Sequence, residues 1–238
     1  MIRQILAVLE AVIFLLIGYI ELGILWIIGK FNKNLEKKIE FARVQWIFKV
    51  ITATLGVKLD VKGLENVPKD EPVLYVANHN TIFDVVLTYH LCPGITGYIA
   101  KDSLKKVPGL NLWMARNYCL FLDRKDIRQG MQVILQAIDY IKNDKVSMFV
   151  FPEGTRSKDG NLGEFKDGSL KMASKTGAKV VPVAIIGSKG CAGTFRPFWK
   201  TKNVEIIYGE PVDMGQLEGE DKKHPGAYFR SIIGDMLH

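Results

Sequence analysis

The chain has 238 residues, a formal net charge of +7 and a pI near 9.2, a length that suits one domain with an appendage. Its three cysteines, Cys92, Cys119 and Cys191, are odd in number, far apart and without Cys-x-x-Cys spacing, which argues against a disulfide framework and for a reducing compartment. The four histidines form no zinc-ligand set, so no metal is expected.

Ile5 to Ile28 is almost wholly apolar. As a helix it would extend about 36 Å, enough to cross a bilayer core about 30 Å thick. It is long for the apolar core of a cleaved signal peptide, and no small-residue cleavage site precedes the basic segment from Lys30. Glu10 and Glu21 interrupt the run. Arg3, Glu10 and Glu21 are seven and eleven residues apart. That spacing brings all three within about 20° of one helical stripe. Charges so aligned prefer a partner helix or headgroups to lipid tails. Lys30 to Lys49 reads as a second helix, basic at its start, carrying Phe41, Trp46 and Phe48, and stopping by Gly56. Helix one could span the membrane alone, or the pair could form a hairpin in one leaflet with the acidic stripe facing the basic helix. The hairpin compensates Glu10 and Glu21 better. A core helix of a soluble protein is the third alternative. Either membrane arrangement gives the flank of Lys30, Lys33, Lys37 and Lys38 a cytoplasmic preference. The expected location is the cell membrane, with the rest of the chain on its cytoplasmic face.

From Val57 the pattern alternates. β-rich runs are expected at Val57–Val61, Val73–Ala77, Ile95–Ala100, Cys119–Leu122, Val146–Phe151, Val180–Ile186 and Val204–Tyr208. Helical patterns are expected at Phe83–Leu91, Ile127–Lys142, Ser169–Thr176 and Tyr228–Leu237, with Gly209–Pro225 as a surface loop. The resulting fold class is α/β, a mixed central sheet flanked by helices over residues 56–238, after a membrane-binding two-helix segment over residues 1–55.

Strand ends are where such folds place chemistry. The apolar run Val73–Ala77 drops into Asn78-His79-Asn80-Thr81, and a helix is expected from about Ile82, with Asp84 in its first turn. Five residues along one helix turn the chain about 500°, pointing His79 and Asp84 some 140° apart. They can meet only if His79 lies on the loop and Asp84 on the helix. Thr81-x-x-Asp84 also matches a capping box, in which Thr81 caps the helix and Asp84 reaches back to a free N–H.

Phe151-Pro152-Glu153-Gly154-Thr155-Arg156-Ser157 repeats the design. An arginine fork suits phosphate oxygens, and a glycine lets backbone N–H groups approach the same anion. Lys101 after Ile99-Ala100, Arg124 after Phe121-Leu122-Asp123, and Lys166 in Phe165-Lys166-Asp167-Gly168 add cations. One base among several cations suggests a substrate bearing a phosphate and a hydroxyl to be deprotonated. No Gly-x-Ser-x-Gly elbow occurs, so His79 is expected to activate a substrate hydroxyl directly, with Asp84 fixing its tautomer. No nucleic-acid motif accompanies the basic balance; an anionic membrane and anionic substrates explain it better.

Over about Val57 to Val212 the sequence resembles the glycerolipid acyltransferase family, most closely its bacterial 1-acyl-sn-glycerol-3-phosphate acyltransferases. The first motif, Asn-His-x-Ser-x-x-Asp, appears as Asn78-His79-Asn80-Thr81-Ile82-Phe83-Asp84, with Thr81 replacing serine. The third is intact as Phe151 to Ser157, and Val181-Pro182-Val183 matches the fourth. The second matches in part, as Phe121-Leu122-Asp123-Arg124 with Tyr118 where glycine is usual. Ala100-Lys101 with Pro108-Gly109, and Phe165-Lys166 with Gly168, also resemble family positions.

The resemblance implies transfer of a fatty acyl chain from acyl-CoA or an acylated carrier protein to the 2-hydroxyl of lysophosphatidic acid, giving phosphatidic acid. It implies His79 as general base, Asp84 as its orienting partner, and Glu153, Gly154, Thr155 and Arg156 as holders of the glycerol phosphate. Lys101, Arg124 and Lys166 would be further anionic contacts. No cofactor is expected beyond the acyl donor, and membrane lipids are the expected surroundings. Another lysophospholipid or glycerol 3-phosphate as acceptor, or lipid binding without turnover, are the alternatives.

Overall fold

The computed structural model describes residues 2–157, 160–192 and 201–238. Helices α1 (Ile2–Phe31) and α2 (Lys33–Thr54) precede seven strands: β1 (Val57–Lys62), β2 (Leu74–Ala77), β3 (Thr96–Lys101), β4 (Leu120–Leu122), β5 (Ser147–Val150), β6 (Val180–Ile186) and β7 (Lys202–Tyr208). Between and after them lie α3 (Phe83–Tyr89), α4 (Leu110–Arg116), α5 (Ile127–Lys142), α6 (Lys171–Thr176), α7 (Lys189–Ala192), α8 (Gly219–Lys223) and α9 (Pro225–Met236). Helix α4 was not expected from the sequence. Nor is Gly209–Pro225 only a loop: Val212 bridges to Val180, and a 3-10 turn (Met214–Gln216) and α8 follow.

The strands form one mixed sheet in the order β1-β7-β6-β2-β5-β3-β4. The run β6-β2-β5-β3-β4 is parallel, and β7 turns the sheet antiparallel against β6. Alternation along the central strands splits the core in two. Tyr75, Ala77 and Phe149 face α2, α3 and α4, where Phe41, Leu87 and Trp113 are buried. Leu74, Val76 and Met148 face α5, α6 and α9, where Ala137, Met172 and Phe229 are buried. Covered on both faces, the central strands read as near-continuous apolar runs. Burying each large side chain contributes about 1.5–3 kcal/mol.

Helices α1 and α2 fold back on each other through Asn32, whose side chain accepts from Leu35 N–H. The charges of α1 find partners there. Arg43 forks onto Glu21 (Nε–Oε2 3.1 Å, Nη2–Oε1 2.5 Å), Thr54 Oγ1 donates to Glu10 Oε1 at 2.6 Å, and Arg3 donates to the Leu55 carbonyl. The outer side of α1 exposes Ile13, Leu16, Ile20 and Ile24, and α1 is long and apolar enough to cross a membrane. The hairpin is also packed onto the α/β layer. Arg116 of α4 pairs with the buried carboxylates of Glu36 and Glu40, and Lys37 Nζ donates to the Arg116 carbonyl at 2.8 Å. A Cβ on Gly18 would collide with the Trp113 ring. Glycine at that position lets the two helices close.

Candidate active site

Strands β2, β5, β3 and β4 are successive neighbours and all parallel, so their carboxyl ends open on one sheet edge. That edge carries His79 after β2, Arg156 after β5, Lys101 at the end of β3 and Arg124 after β4. The first two loops meet directly, because β2 and β5 pair in register from Leu74↔Met148 to Val76↔Val150.

Beyond β2, Asn78 continues the ladder with its side chain. Its Nδ2 donates to the Ile185 carbonyl at 3.0 Å and its Oδ1 accepts from Ile185 N–H at 2.8 Å. This residue was not singled out from the sequence. It anchors the loop so that His79 lands over Phe151, the two rings stacked at 4.1 Å and 20°. His79 Nδ1 lies 2.8 Å from Asp84 Oδ2, and the Asp84 side chain is fully buried. The same oxygen accepts from the N–H groups of Asn80 (2.6 Å) and Thr81 (2.8 Å). Three donors converging on one oxygen hold the carboxylate against the imidazole. With Nδ1 donating to that carboxylate, the neutral ring carries its proton on Nδ1 and a lone pair on Nε2.

The capping box is half realised. Asp84 reaches back to Thr81 N–H, but the Thr81 hydroxyl sits 3.5 Å from Phe83 N, at the limit of a hydrogen bond, and Ile82 occupies the cap position. The expectation that Thr81 caps the helix is therefore corrected. Asp84 instead gathers the N–H groups of Asn80 and Thr81, on the loop before the helix.

Glu153 lines the cleft and also serves the loops. Its Oε1 accepts from His79 N–H at 2.7 Å and its Oε2 from Gly163 N–H at 3.0 Å, so both oxygens already tie backbone segments together. The Ser157 N–H donates to the His79 carbonyl at 2.8 Å, closing the link between the two loops from the other side. Gly154 has φ +71°, and a Cβ there would come within 3.3 Å of Lys166 Nζ. Glycine at this turn thus answers both the left-handed backbone and the approach of the lysine.

A cleft of 550 Å³ opens beside these loops, lined by Glu153, Thr155, Arg156 and Ser157. Asn161, Gly163, Glu164 and Lys166 complete the lining. Lys101 and Arg124 are outside this lining. Burial, with the Arg156 charge as the second cause, pulls the Arg124 guanidinium below its ordinary value, so the two cations share a field that an anion would relieve. Asn161, Gly163 and Glu164 carry no motif of their own and were not legible as site residues. Chemically, the arrangement offers a carboxylate-oriented imidazole at the rim of a cleft that can hold a phosphate.

A family model described as Acyltransferase matches residues 58–186, more than half of the chain. A chloroplastic 1-acyl-sn-glycerol-3-phosphate acyltransferase of Arabidopsis thaliana is 36% identical over 157 residues, 65% of this chain; the match spans 44% of that relative's length. The 1-acyl-sn-glycerol-3-phosphate acyltransferase of Borreliella burgdorferi is 29% identical over 202 residues, covering 84% of this chain and 78% of the relative. Among solved structures, the 1-acyl-sn-glycerophosphate acyltransferase PlsC of Thermotoga maritima superposes with a TM-score of 0.78 at 27% identity, covering 99% of this chain and 96% of that one. With its matched segment running from β1 to the end of β6 and holding both loops of the site, the chain belongs to the acyltransferase family.

Proposed function

We propose that this chain transfers a fatty acyl group from a thioester donor, acyl-CoA or acylated carrier protein, to the 2-hydroxyl of 1-acyl-sn-glycerol 3-phosphate, forming phosphatidic acid. The observation that carries the reading is the His79–Asp84 pair, joined through Glu153 and Ser157 to a cleft bearing Thr155, Arg156 and Lys166. Phosphate binds at Arg156 and Lys166, which brings the acceptor hydroxyl to Nε2 of His79. The imidazole takes the hydroxyl proton as the oxygen attacks the thioester carbonyl. A C–O bond forms, the tetrahedral intermediate collapses, the C–S bond breaks, and the imidazolium returns its proton to the departing thiolate. Asp84 holds the ring and stabilises its cationic form; Glu153 positions the His79 backbone.

The hairpin suits a lipid substrate. The exposed apolar side of α1 lies in one leaflet of the cell membrane, with Glu21 paired to Arg43 of α2, one oxygen of Glu10 bonded to Thr54, and the α/β domain on the cytoplasmic side. Acyl chains then need not be extracted fully into water. The test is thiol release from acyl-CoA by the full-length protein in mixed micelles. Lysophosphatidic acid, other lysophospholipids and glycerol 3-phosphate are compared as acceptors, with His79→Ala as control. Release that requires lysophosphatidic acid and vanishes in the variant is the expected result. Preference for another acceptor, or equal release by His79→Ala, would overturn the assignment.

A further inference from the structure

Half of the cleft is made by residues 160–166, which have no regular secondary structure. The backbone groups of such a segment find no ladder partners and must be held one by one. Lys166 N–H donates to the Pro152 carbonyl at 3.2 Å, and Gly163 N–H donates to Glu153. The outer side of the segment is held from the end of the chain. Arg230 of α9 donates from Nε to the Gly163 carbonyl and from Nη2 to the Leu162 carbonyl, both at 2.9 Å. At the start of the same helix, Gly226 N–H donates to Asp167 Oδ1 at 2.7 Å, and a Cβ on Gly226 would strike the Phe165 carbonyl. Helix α9 therefore lies directly on the strap. Gly163 is gripped on both sides, by Arg230 at its carbonyl and Glu153 at its N–H.

We propose that Arg230 is a positioning residue for acceptor binding: through two successive carbonyls it holds the strap of residues 160–166 in place, so that Lys166 lines the same cleft as Arg156. The inference rests on the acceptor phosphate occupying that cleft, as in the proposed function. A planar fork is suited to two adjacent carbonyls, whereas a lysine's single ammonium cannot reproduce the fixed spacing. Arg230 is exposed and outside the lining of the cleft, so its loss opens the strap locally instead of unfolding the domain. His79 keeps its own bond to Glu153 Oε1 when Oε2 is released. Binding should suffer, and chemistry should not.

The experiment compares the full-length protein with Arg230→Ala and Arg230→Lys in the same micelles, reading steady-state kinetics, thermal midpoint and amide hydrogen exchange. In Arg230→Ala we expect faster exchange confined to residues 160–166. The acceptor KM should rise about five- to tenfold, with kcat and donor KM within about twofold of the parent. Arg230→Lys should fall between the two. Unchanged exchange in the strap, or a loosened strap with an unchanged acceptor KM, would overturn the inference. So would equal rises in both KM values. If the parent protein transfers no acyl group, the proposed function fails separately. The exchange data, with glycerol 3-phosphate affinity in place of KM, then still decide the role of Arg230.

Discussion

Replacing Asp84 by asparagine separates what the carboxylate does for geometry from what its charge does for reaction. When His79 accepts a proton, a positive ring forms beside Asp84 Oδ2, 2.8 Å from Nδ1. With charge centres about 4 Å apart and an effective dielectric of about 20, their attraction is about 4 kcal/mol. A transition state with the proton half transferred realises about half of that. Asp84→Asn should therefore raise the barrier by about 2–4 kcal/mol, lowering kcat by about 30- to 1000-fold. The tautomer should survive. The N–H groups of Asn80 and Thr81 demand an acceptor at the Oδ2 position, so the asparagine carbonyl takes it and still accepts from Nδ1. Its NH2 falls where Oδ1 is already buried without a hydrogen-bond partner among the described residues, so that site changes little in the comparison. Three charge-assisted bonds becoming neutral ones should cost about 1–3 kcal/mol of stability. For a chain of this size that is about 2–12 °C in Tm. Thiol release from acyl-CoA in the presence of lysophosphatidic acid, with a parallel thermal melt, measures both effects. A kcat within about threefold of the parent would refute the reasoning, because it would mean that no positive charge develops on His79.

Arg156→Ala should raise the acceptor KM about 5- to 30-fold while leaving the donor KM unchanged, since one exposed charge-assisted contact is lost; equal effects on both substrates would assign Arg156 elsewhere. Leu16→Lys with Ile20→Lys, on the exposed side of α1, should release the protein from liposomes in flotation, because each lysine costs about 2.5–3.5 kcal/mol in a bilayer interior. Deleting residues 1–55 should instead give an aggregating product, seen by size-exclusion chromatography. Phe41, Val44 and Leu25 of the hairpin share one core with Tyr89 and Trp113, and Arg116 would lose Glu36 and Glu40.

Much of the architecture was legible because it is written in local periodicity. All seven strands appear within two residues of their expected limits, and α5 occupies Ile127–Lys142 as its apolar spacing predicts. Four cations and bases at one sheet edge follow from strands alone, once their parallel order is known. Helix α4 escaped because its seven residues, about two turns, are too few to show a repeating apolar pattern; Trp113 against Gly18 and Arg116 between Glu36 and Glu40 give it its place. At the basic start of α2, the same contacts turn Lys37 and Glu40 toward Arg116, which the sequence did not show. Glu153 was placed in the right loop, but nothing in Glu-Gly-Thr-Arg shows that its carboxylate also accepts from two backbone N–H groups. Of the strap only Lys166 was legible, since the Arg230 that holds its outer side lies about seventy residues away on α9.

The pairing of Arg43 with Glu21, and of Thr54 with Glu10, also bears on how the protein reaches its destination. During synthesis α1 emerges first, carrying two carboxylates whose partners are still unmade. Until the ribosome has delivered Arg43 and Thr54, the first helix is a poor guest for hydrocarbon. For the one-leaflet hairpin proposed above, closure at the water boundary would then precede entry into lipid. Substitutions that slow closure, such as Arg43→Ala, would show as delayed membrane arrival in a timed translation before they showed as lost activity.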